Sequence, residues 1–272
     1  MTRRYYVPDL QAQAPIVQLP DEEASHAARV MRVQPGDEVE LFDGIGHQSA
    51  AEVMSVSKRE CVVRCGVMEA VDREPRVAVD LAIGFPKPDR AKEMMERLTE
   101  LGVARVFPVT FARTQRPPAE NLLGKLRRIV IEACKQSGRN VLMKIESPME
   151  FESLAQMITQ STDQGKPEPV GDEPVVSWQQ VLVAKPDSPP LVPLEESLPG
   201  QEKSPEAKQS EGSQSDVDGR PRILVLIGPE GGLSDPEHQR CDELGVKAIG
   251  LGSRILRIET AASVVAARLV VD

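Results

Sequence analysis

The spacing of hydrophobic residues changes character after the first quarter of the chain. In residues 1–70, hydrophobic and polar positions alternate with a period of two in short segments, at 38–42, 50–56 and 61–67. This alternation predicts β-strands that bury one face. A short helix is predicted over 21–33. We therefore interpret residues 1–70 as a small β-rich domain.

Beyond this domain, continuous apolar segments alternate with segments of helical spacing, which predicts a parallel α/β sheet over residues 71–272. One amphipathic helix ends at Leu101, with Gly102 in the position that commonly terminates helices. A capping box at Ser147, with Pro148 in the first helical position, predicts another helix. The remaining predicted elements are strands at 77–83, 106–109, 181–184, 222–227 and 248–251, and helices at 122–138, 235–245 and 260–271.

Charge is unevenly distributed along the chain. The net charge is −9, and residues 163–219 account for most of it, with 12 acidic and 4 basic side chains. The acidic total argues against a nucleic-acid partner, but the nearly neutral remainder leaves RNA possible. Residues 187–219 are rich in Pro, Ser, Glu and Gln without apolar periodicity. They are predicted to form a disordered insertion.

Composition also bears on location and metal binding. No apolar stretch reaches the ~18 residues of a membrane span. The N-terminus has no apolar segment typical of a signal peptide, so we expect a cytoplasmic protein. The four cysteines fit no zinc spacing and the three histidines are scattered, so no metal is predicted. Cys61 and Cys65 would face one side of a strand, where buried thiols are favoured over a redox pair.

Two segments carry candidate chemistry. Residues 227–234 form a glycine-rich turn between a predicted buried strand and a capped helix, so their backbone can approach a ligand closely. The turn lacks the patterns of a Walker A loop and of a dinucleotide fingerprint. Residues 251–262 place Arg254, Arg257 and Glu259 among apolar side chains. On generic grounds, a tight turn and an ordinary helix start remain open interpretations of these two segments.

Together, the sequences Gly-Pro-Glu-Gly-Gly-Leu-Ser at 228–234 and Leu-Gly-Ser-Arg-Ile-Leu-Arg-Ile-Glu-Thr-Ala at 251–261 closely resemble the signature of the 16S ribosomal RNA uridine-N3 methyltransferases, a family of the SPOUT superfamily. The blocks at 99–103 and 132–140 resemble further parts of this family. In the front domain, residues 26–32, 36–37 and 42–44 match its RNA-binding module. The similarity covers the chain except for the acidic insertion.

The resemblance implies a PUA-like β-barrel followed by a SPOUT α/β domain with a deep trefoil knot. It also implies a homodimer that binds S-adenosylmethionine with backbone from both signature segments. By position, the implied cofactor-binding residues are Gly228, Pro229, Glu230, Gly231, Gly232, Leu251, Gly252, Ile255, Leu256 and Arg257.

Transfer of an activated methyl group depends on in-line positioning of uridine N3 and on stabilising the anion that develops on the ring. Arg257 and Arg139 are the candidates for that stabilisation. The base is Glu259, another carboxylate or water. The residues predicted to contact phosphates are Arg3, Arg4, Arg29, Arg32, Arg113, Arg116, Arg127, Arg128 and Arg139, and for Arg127 and Arg128 a solvated surface is favoured. His26, in the block that matches the RNA-binding module, is also predicted to bind RNA.

Three other functions are weighed against this one. Another SPOUT enzyme would methylate tRNA or large-subunit RNA, an alternative against which the 26–32 block argues. A non-catalytic RNA-binding assembly factor would be expected to carry a damaged cofactor loop, and both loops look intact. A nucleotide-binding regulator would need a lysine that the glycine turn lacks.

Overall fold

The structure is a computed structural model that describes residues 3–10, 15–162, 176–191 and 219–270. Its contacts separate two units, each with its own sheet. The first contains Met1–Glu74 together with Lys125–Met143, and the second contains Pro75–Gly124 together with Lys144–Asp272. The first unit therefore includes a distant segment in addition to the N-terminal domain expected at 1–70.

The first unit contains a five-stranded sheet in the order β1-β3-β4-β5-β2. Strand β1 pairs in parallel with β3, and the other pairs are antiparallel. Glu38–Phe42 is a strand with the predicted bounds; Val39 and Leu41 are buried as the period of two predicts, and Phe42 is buried as well. The strands are β1 (Arg3–Tyr6), β2 (Ile16–Gln18), β3 (Glu38–Phe42), β4 (His47–Val56) and β5 (Cys61–Ala70).

The helix predicted over 21–33 is shorter and ends irregularly. Helix α1 (Asp21–His26) continues into a π-helical turn at Ala27–Met31. Arg32 then adopts a left-handed conformation with φ 50°, and the N–H of Val33 donates to the Ala27 carbonyl. The prediction was wrong at this end because helical periodicity does not distinguish an α-turn from a π-turn.

The second unit contains a parallel sheet in the order β12-β10-β11-β6-β7-β8, with β9 pairing to β7 as well. The predicted α/β class with a parallel sheet is therefore confirmed. The strands are β6 (Ala78–Ile83), β7 (Arg105–Thr110), β8 (Lys144–Ile145), β9 (Met149–Glu150), β10 (Gln180–Ala184), β11 (Arg222–Ile227) and β12 (Lys247–Ile249).

Helices cover the sheet of the second unit. Every residue of β6 and β11 is buried, as expected for strands covered on both faces. Helix α6 packs against these two strands and against α2, while α4 packs against α5 and β7. No helix in the described ranges is long and apolar enough to cross a membrane. The helices are α2 (Pro88–Glu100), α3 (Glu120–Ser137, mostly within the first unit), α4 (Phe151–Thr162), α5 (Asp235–Glu243) and α6 (Ile258–Leu269).

One prediction about the second unit needs correction, and another falls mostly outside the described residues. The helix expected from Ser147 begins only at Phe151, because Met149–Glu150 pairs as a strand with β7. The first residues of the predicted insertion, 187–191, belong to the described residues. Leu191 is buried, and its N–H donates to the Gly250 carbonyl at 3.1 Å. Residues 192–218 of that insertion lie outside the described residues.

Candidate functional site

A cavity of about 520 Å³ lies at the carboxyl ends of three neighbouring parallel strands, β12, β10 and β11. This edge is where ligands bind in open α/β sheets, because the loops that leave adjacent strands meet there. The volume is that of an ordinary small-molecule site. Two loops form opposing parts of its lining. We call residues 228–234 the glycine loop and residues 251–257 the arginine loop.

The glycine loop turns tightly after β11. The N–H of Gly232 donates to the Pro229 carbonyl at 2.8 Å, and Gly232 has φ 68°, a conformation that favours glycine. The end of β6 also supports this turn. The N–H of Gly84 donates to the Ile227 carbonyl, and a Cβ at position 84 would stand 2.7 Å from the Pro229 nitrogen. Only glycine allows the two chain segments to approach this closely.

The segment after β7 also supports the glycine loop. Nη1 of Arg113 donates to the carbonyls of Gly231 and Leu233, at 2.9 and 3.1 Å. Glu237, in the first turn of α5, accepts hydrogen bonds from Ser234 and from the Ala112 backbone. The capping box predicted at Ser234 is thus formed on its glutamate side. The loop's backbone is held by residues that follow two different strands.

The arginine loop links β12 to α6 and is far more exposed. Gly252 has φ 117°, a Cβ at that position would have no atom within 4 Å, and Ile255 is 92% exposed. Arg257 is exposed and extended at the N-cap of α6, where its carbonyl accepts from the Ala261 N–H. Its side chain is therefore available to a bound molecule.

All ten residues predicted to bind the cofactor line this cavity, so two segments about twenty residues apart in the sequence converge on it. The sequence analysis missed several lining residues. Lys185 and Pro186 directly follow β10, and His238 lies one turn into α5. Position after a parallel strand is a signal that would have found the first two. Arg113, predicted to contact RNA, also lines the cavity.

Comparison with known proteins identifies this arrangement. Residues 73–270 match the family model described as RNA methyltransferase domain, and residues 19–64 match the RNA methyltransferase PUA domain. The chain belongs to the RNA methyltransferase family. It is 29% identical to ribosomal RNA small subunit methyltransferase E of Bacillus subtilis over 95% of this chain and 92% of that protein. The family resemblance predicted from the sequence is confirmed.

Solved structures of similar proteins agree with this membership. The structure of a methyltransferase from Legionella pneumophila, in complex with S-adenosylmethionine, matches this chain with a TM-score of 0.76. The two sequences are 26% identical, and the match covers 98% of this chain and 96% of the Legionella chain. Ribosomal RNA small subunit methyltransferase E from Neisseria gonorrhoeae, bound to the same cofactor, matches with a TM-score of 0.75 and 25% identity. This match also covers 98% of this chain and 96% of the other chain.

In the methyltransferase domain, Glu259 occupies a different setting from that expected of a base. It is 7% exposed and does not belong to the cavity lining. Its Oε1 lies 3.6 Å from Nε of Arg90 on α2. This ion pair joins α6 to α2. The structure thus places the residue predicted as a proton acceptor in a contact between α2 and α6.

The structure also corrects the role of Arg4, which was predicted to contact phosphate. Arg4 is buried in the first unit, and its guanidinium donates to Glu40, to the Cys134 carbonyl and to Asn140. It also lies over the Phe42 ring, 4.7 Å from the centroid. A guanidinium with these partners is not accessible to a phosphate.

Arg139 is buried in the same unit. Its Nε and Nη2 donate to both carboxylate oxygens of Glu74, at 2.7 and 2.6 Å. This bidentate geometry is the strongest kind of arginine–carboxylate contact. The guanidinium of Arg139, which was predicted to take part in catalysis, therefore makes an ion pair within the first unit.

The remaining RNA candidates of the PUA domain differ in accessibility. Arg29 and Arg32 are exposed on the π-helical turn, whereas Arg3 pairs with Asp37. Burial lowers the pKa of His26, and the Lys135 ammonium 3.1 Å away lowers it further. A neutral imidazole at pH 7 offers no charge to a phosphate. Of the others, Arg116 and Arg127 are exposed, and Arg128 pairs with Glu22 at 2.7 Å.

Three of the four cysteines, Cys61, Cys134 and Cys241, are buried. All four are free thiols, and burial raises the pKa of Cys134 and of Cys241 to about 11, so that these two stay protonated at neutral pH. The described residues contain no group of three His, Cys, Asp or Glu side chains that could hold a metal ion.

Proposed function

We propose that this protein transfers a methyl group from S-adenosylmethionine to N3 of a uridine in 16S ribosomal RNA, in the assembled small subunit and in the cytoplasm. The observation that carries the proposal is the convergence of the glycine loop and the arginine loop on one cavity at the carboxyl edge of the sheet. Similarity to two S-adenosylmethionine-bound structures and to curated small-subunit methyltransferases supports the cofactor and the RNA.

The cavity fits S-adenosylmethionine in size and in chemistry. Its lining combines apolar side chains, such as Ile255 and Leu256, with exposed backbone of two glycine-containing loops. A Cβ at Gly232 or Gly252 would project into open space, so these positions leave room beside the backbone. The glycine loop would hold the cofactor on one side and the arginine loop on the other. When bound, the cofactor supplies an electrophilic methyl group.

The chain's own contribution to the reaction is to stabilise charge and accept a proton. Uridine N3 must lose its proton before it becomes a good nucleophile. Arg257 is exposed at the cavity, and we assign it to the negative charge that develops on the uracil ring. Glu259 is paired with Arg90 and does not line the cavity. Among the described lining residues, the carboxylate is that of Glu230, and the lining also contains the imidazole of His238. We assign the proton to Glu230 or to water.

The PUA domain would bind the RNA through its π-helical turn. Arg29 and Arg32 are exposed there, and between them Val30 and Met31 are 65% and 36% exposed. Cations next to exposed apolar side chains suit a surface that contacts phosphates and bases together. Neutralising phosphates releases counterions, so affinity for 16S RNA should fall steeply with salt, and salt-independent binding would contradict this role.

The family resemblance further supports a deep trefoil knot, a PUA-like barrel and a homodimer. Near the proposed knot, the Gly250 N–H donates to the Pro189 carbonyl at 2.6 Å, which holds the segment after β10 against the segment that enters the arginine loop. An experimental structure with a continuous backbone trace tests the knot. Light scattering on the purified protein tests the dimer, and a monomeric mass at micromolar concentration would refute it.

The proposed activity can be tested on three substrates. Labelled S-adenosylmethionine is supplied with unmodified 30S subunits, with naked 16S RNA or with bulk tRNA, and products are mapped by nuclease digestion and mass spectrometry. We expect one N3-methyluridine in 16S RNA, formed fastest in the 30S particle. Label in tRNA would overturn the substrate. Binding of S-adenosylhomocysteine without transfer to any of the three RNAs would favour a non-catalytic assembly factor.

A further inference from the structure

Glu237 serves two loops at once. Its Oε2 accepts hydrogen bonds from the N–H and the hydroxyl of Ser234, at 2.7 and 2.8 Å, where the glycine loop ends. Its Oε1 accepts the Ala112 N–H at 2.7 Å. The side chain is buried, and it does not belong to the cavity lining. A helix cap needs only the first of these contacts, so the contact to Ala112 ties the segment after β7 to the glycine loop.

Arg113, the next residue of that segment, reaches the same loop from the cavity side. One nitrogen, Nη1, donates to two carbonyls of the glycine loop, those of Gly231 and Leu233. Its aliphatic stem lies against Gly231, where a Cβ would stand 3.2 Å from the arginine Cβ. One nitrogen of the guanidinium is therefore bonded to backbone carbonyls of the methyltransferase domain and is not free to contact a phosphate.

The segment after β7 forms a hydrogen-bonded turn. The Thr114 N–H donates to the Phe111 carbonyl at 2.9 Å, and the Phe111 N–H donates to the Thr114 hydroxyl at 2.8 Å. Phe111 is buried against Phe151, with ring centroids 5.6 Å apart. A closed turn on a buried aromatic anchor provides a fixed point from which Ala112 and Arg113 can hold another loop.

We propose that Arg113 and Glu237 are positioning residues that hold the glycine loop in its cofactor-binding shape. Arg113 acts on the carbonyls in the middle of the loop, and Glu237 acts on its end at Ser234. The inference rests on the proposed function, because the loop's ligand is taken to be S-adenosylmethionine. It replaces the phosphate contact predicted for Arg113 with a role that needs no RNA.

The physical basis is the cost of ordering a loop. A glycine-rich segment has many accessible conformations, and the apparent affinity of a ligand that binds only one of them is reduced to the fraction of molecules in that conformation. Bonds that hold the loop before the ligand arrives remove that loss. Without either residue, binding of the cofactor should weaken while the sheet beneath stays folded.

Titration with S-adenosylhomocysteine in the absence of RNA tests the proposal on the full chain. We expect Arg113→Gln and Glu237→Gln each to weaken binding by roughly tenfold, equivalent to about 1.4 kcal/mol. Arg113→Lys should lose less, because an ammonium can still donate to one carbonyl. The matched control is Arg116→Gln, which removes the same charge from an exposed arginine three residues away and should bind like the wild type.

Kinetics separate positioning from a purely structural effect. For Arg113→Gln we expect KM for S-adenosylmethionine to rise, kcat at saturating cofactor to stay within about twofold, and the salt slope of RNA binding to stay unchanged. Combining Arg113→Gln with Glu237→Gln should weaken binding by less than the product of the two single effects, because both act on one loop.

Three results would overturn the inference. Unchanged S-adenosylhomocysteine affinity in Arg113→Gln would exclude a positioning role for this arginine. A reduced RNA salt slope with normal cofactor affinity would restore the phosphate contact. If a lowered melting temperature accounted for the whole loss of S-adenosylhomocysteine affinity in both variants, the two residues would only stabilise the fold. If the wild-type chain itself fails to bind S-adenosylhomocysteine, the proposed function fails instead, so the two failures are distinguishable.

Discussion

The glycine loop and the arginine loop line the same cavity, but the structure holds them in different ways. The glycine loop is fixed by an internal turn, by Gly84 beneath it and by Arg113 and Glu237 beside it. The arginine loop is exposed along most of its length, including Ile255 at 92%. One part of the lining is thus formed before any ligand arrives, while the other has fewer contacts to keep it in one shape.

This difference suggests that the two loops recognise different molecules. Preorganised backbone lowers the ordering cost of binding, which suits recognition of the cofactor. An exposed loop that carries Arg254 and Arg257 can adapt to a second, larger molecule and place charge where the reaction needs it. On this view the cofactor is recognised mainly by the glycine loop, and the RNA base meets the arginine loop. Substitutions that act on one loop at a time test whether the two loops differ in this way.

The largest effect is expected from Gly84→Ala. The new Cβ would stand 2.7 Å from the Pro229 nitrogen and 3.0 Å from its Cα, and backbone atoms cannot move aside as a flexible side chain can. We expect S-adenosylhomocysteine affinity to fall more than ~100-fold and the protein to lose about 1–3 kcal/mol of stability. Gly124→Ala is the matched control, since that helical glycine has open space around it and should gain up to about 1 kcal/mol. Unchanged binding in Gly84→Ala would show that the glycine loop is not rigidly supported.

Arg257→Ala should come next, with a different signature. Because its proposed role is to stabilise charge in the transition state, turnover should fall by roughly 100-fold while S-adenosylhomocysteine affinity changes by only a few fold. Single-turnover transfer to 30S subunits together with a binding titration measures both quantities. Arg268→Ala is the control, since it removes the same charge from an exposed arginine of α6 that does not line the cavity. Equal losses in turnover and affinity would contradict the assignment and place Arg257 among the cofactor contacts.

A smaller effect is expected from Gly252→Ala. Its φ of 117° is strained for any residue with a Cβ, at a cost of about 1–3 kcal/mol, but no neighbouring atom lies within 4 Å. The arginine loop is free to relax part of that strain, so we expect a loss of cofactor affinity of about tenfold or less. The same titration used for Gly84→Ala gives the comparison directly. A loss as large as that of Gly84→Ala would mean that the two loops are equally constrained.

The smallest effect should follow Ile255→Ser. A side chain that is 92% exposed contributes almost no burial, so stability should change by less than about 0.5 kcal/mol. Because Ile255 is only one of several apolar side chains in the cavity lining, S-adenosylhomocysteine affinity should fall by no more than a few fold. Chemical denaturation measures the first and titration the second. In contrast, KM for the RNA should rise if Ile255 meets the substrate. A large loss of stability would show that this side chain is covered in solution, as it would be at a dimer interface.

Local patterns were sufficient for most of the secondary structure. The strands Glu38–Phe42 and Arg222–Ile227 have the predicted bounds, because period-two alternation and continuous apolar runs depend only on neighbouring residues. The helix start predicted at Ser147 failed because pairing with β7 outweighs a local capping signal. The left-handed Arg32 was equally invisible, since nothing in its neighbours marks a π-turn.

The fold class, the family and the ten residues of the two cavity loops could be predicted from the sequence, since each depends on contiguous segments. Tertiary structure alone decided how the isolated charged residues are used. Arg4 and Cys134 lie 130 positions apart, as Ala112 and Glu237 lie 125 apart, and no periodicity relates such partners. An arginine looks the same in a sequence whether it is buried on a carbonyl, supports a loop or faces solvent. Its role depends on which distant groups the fold brings within hydrogen-bonding distance.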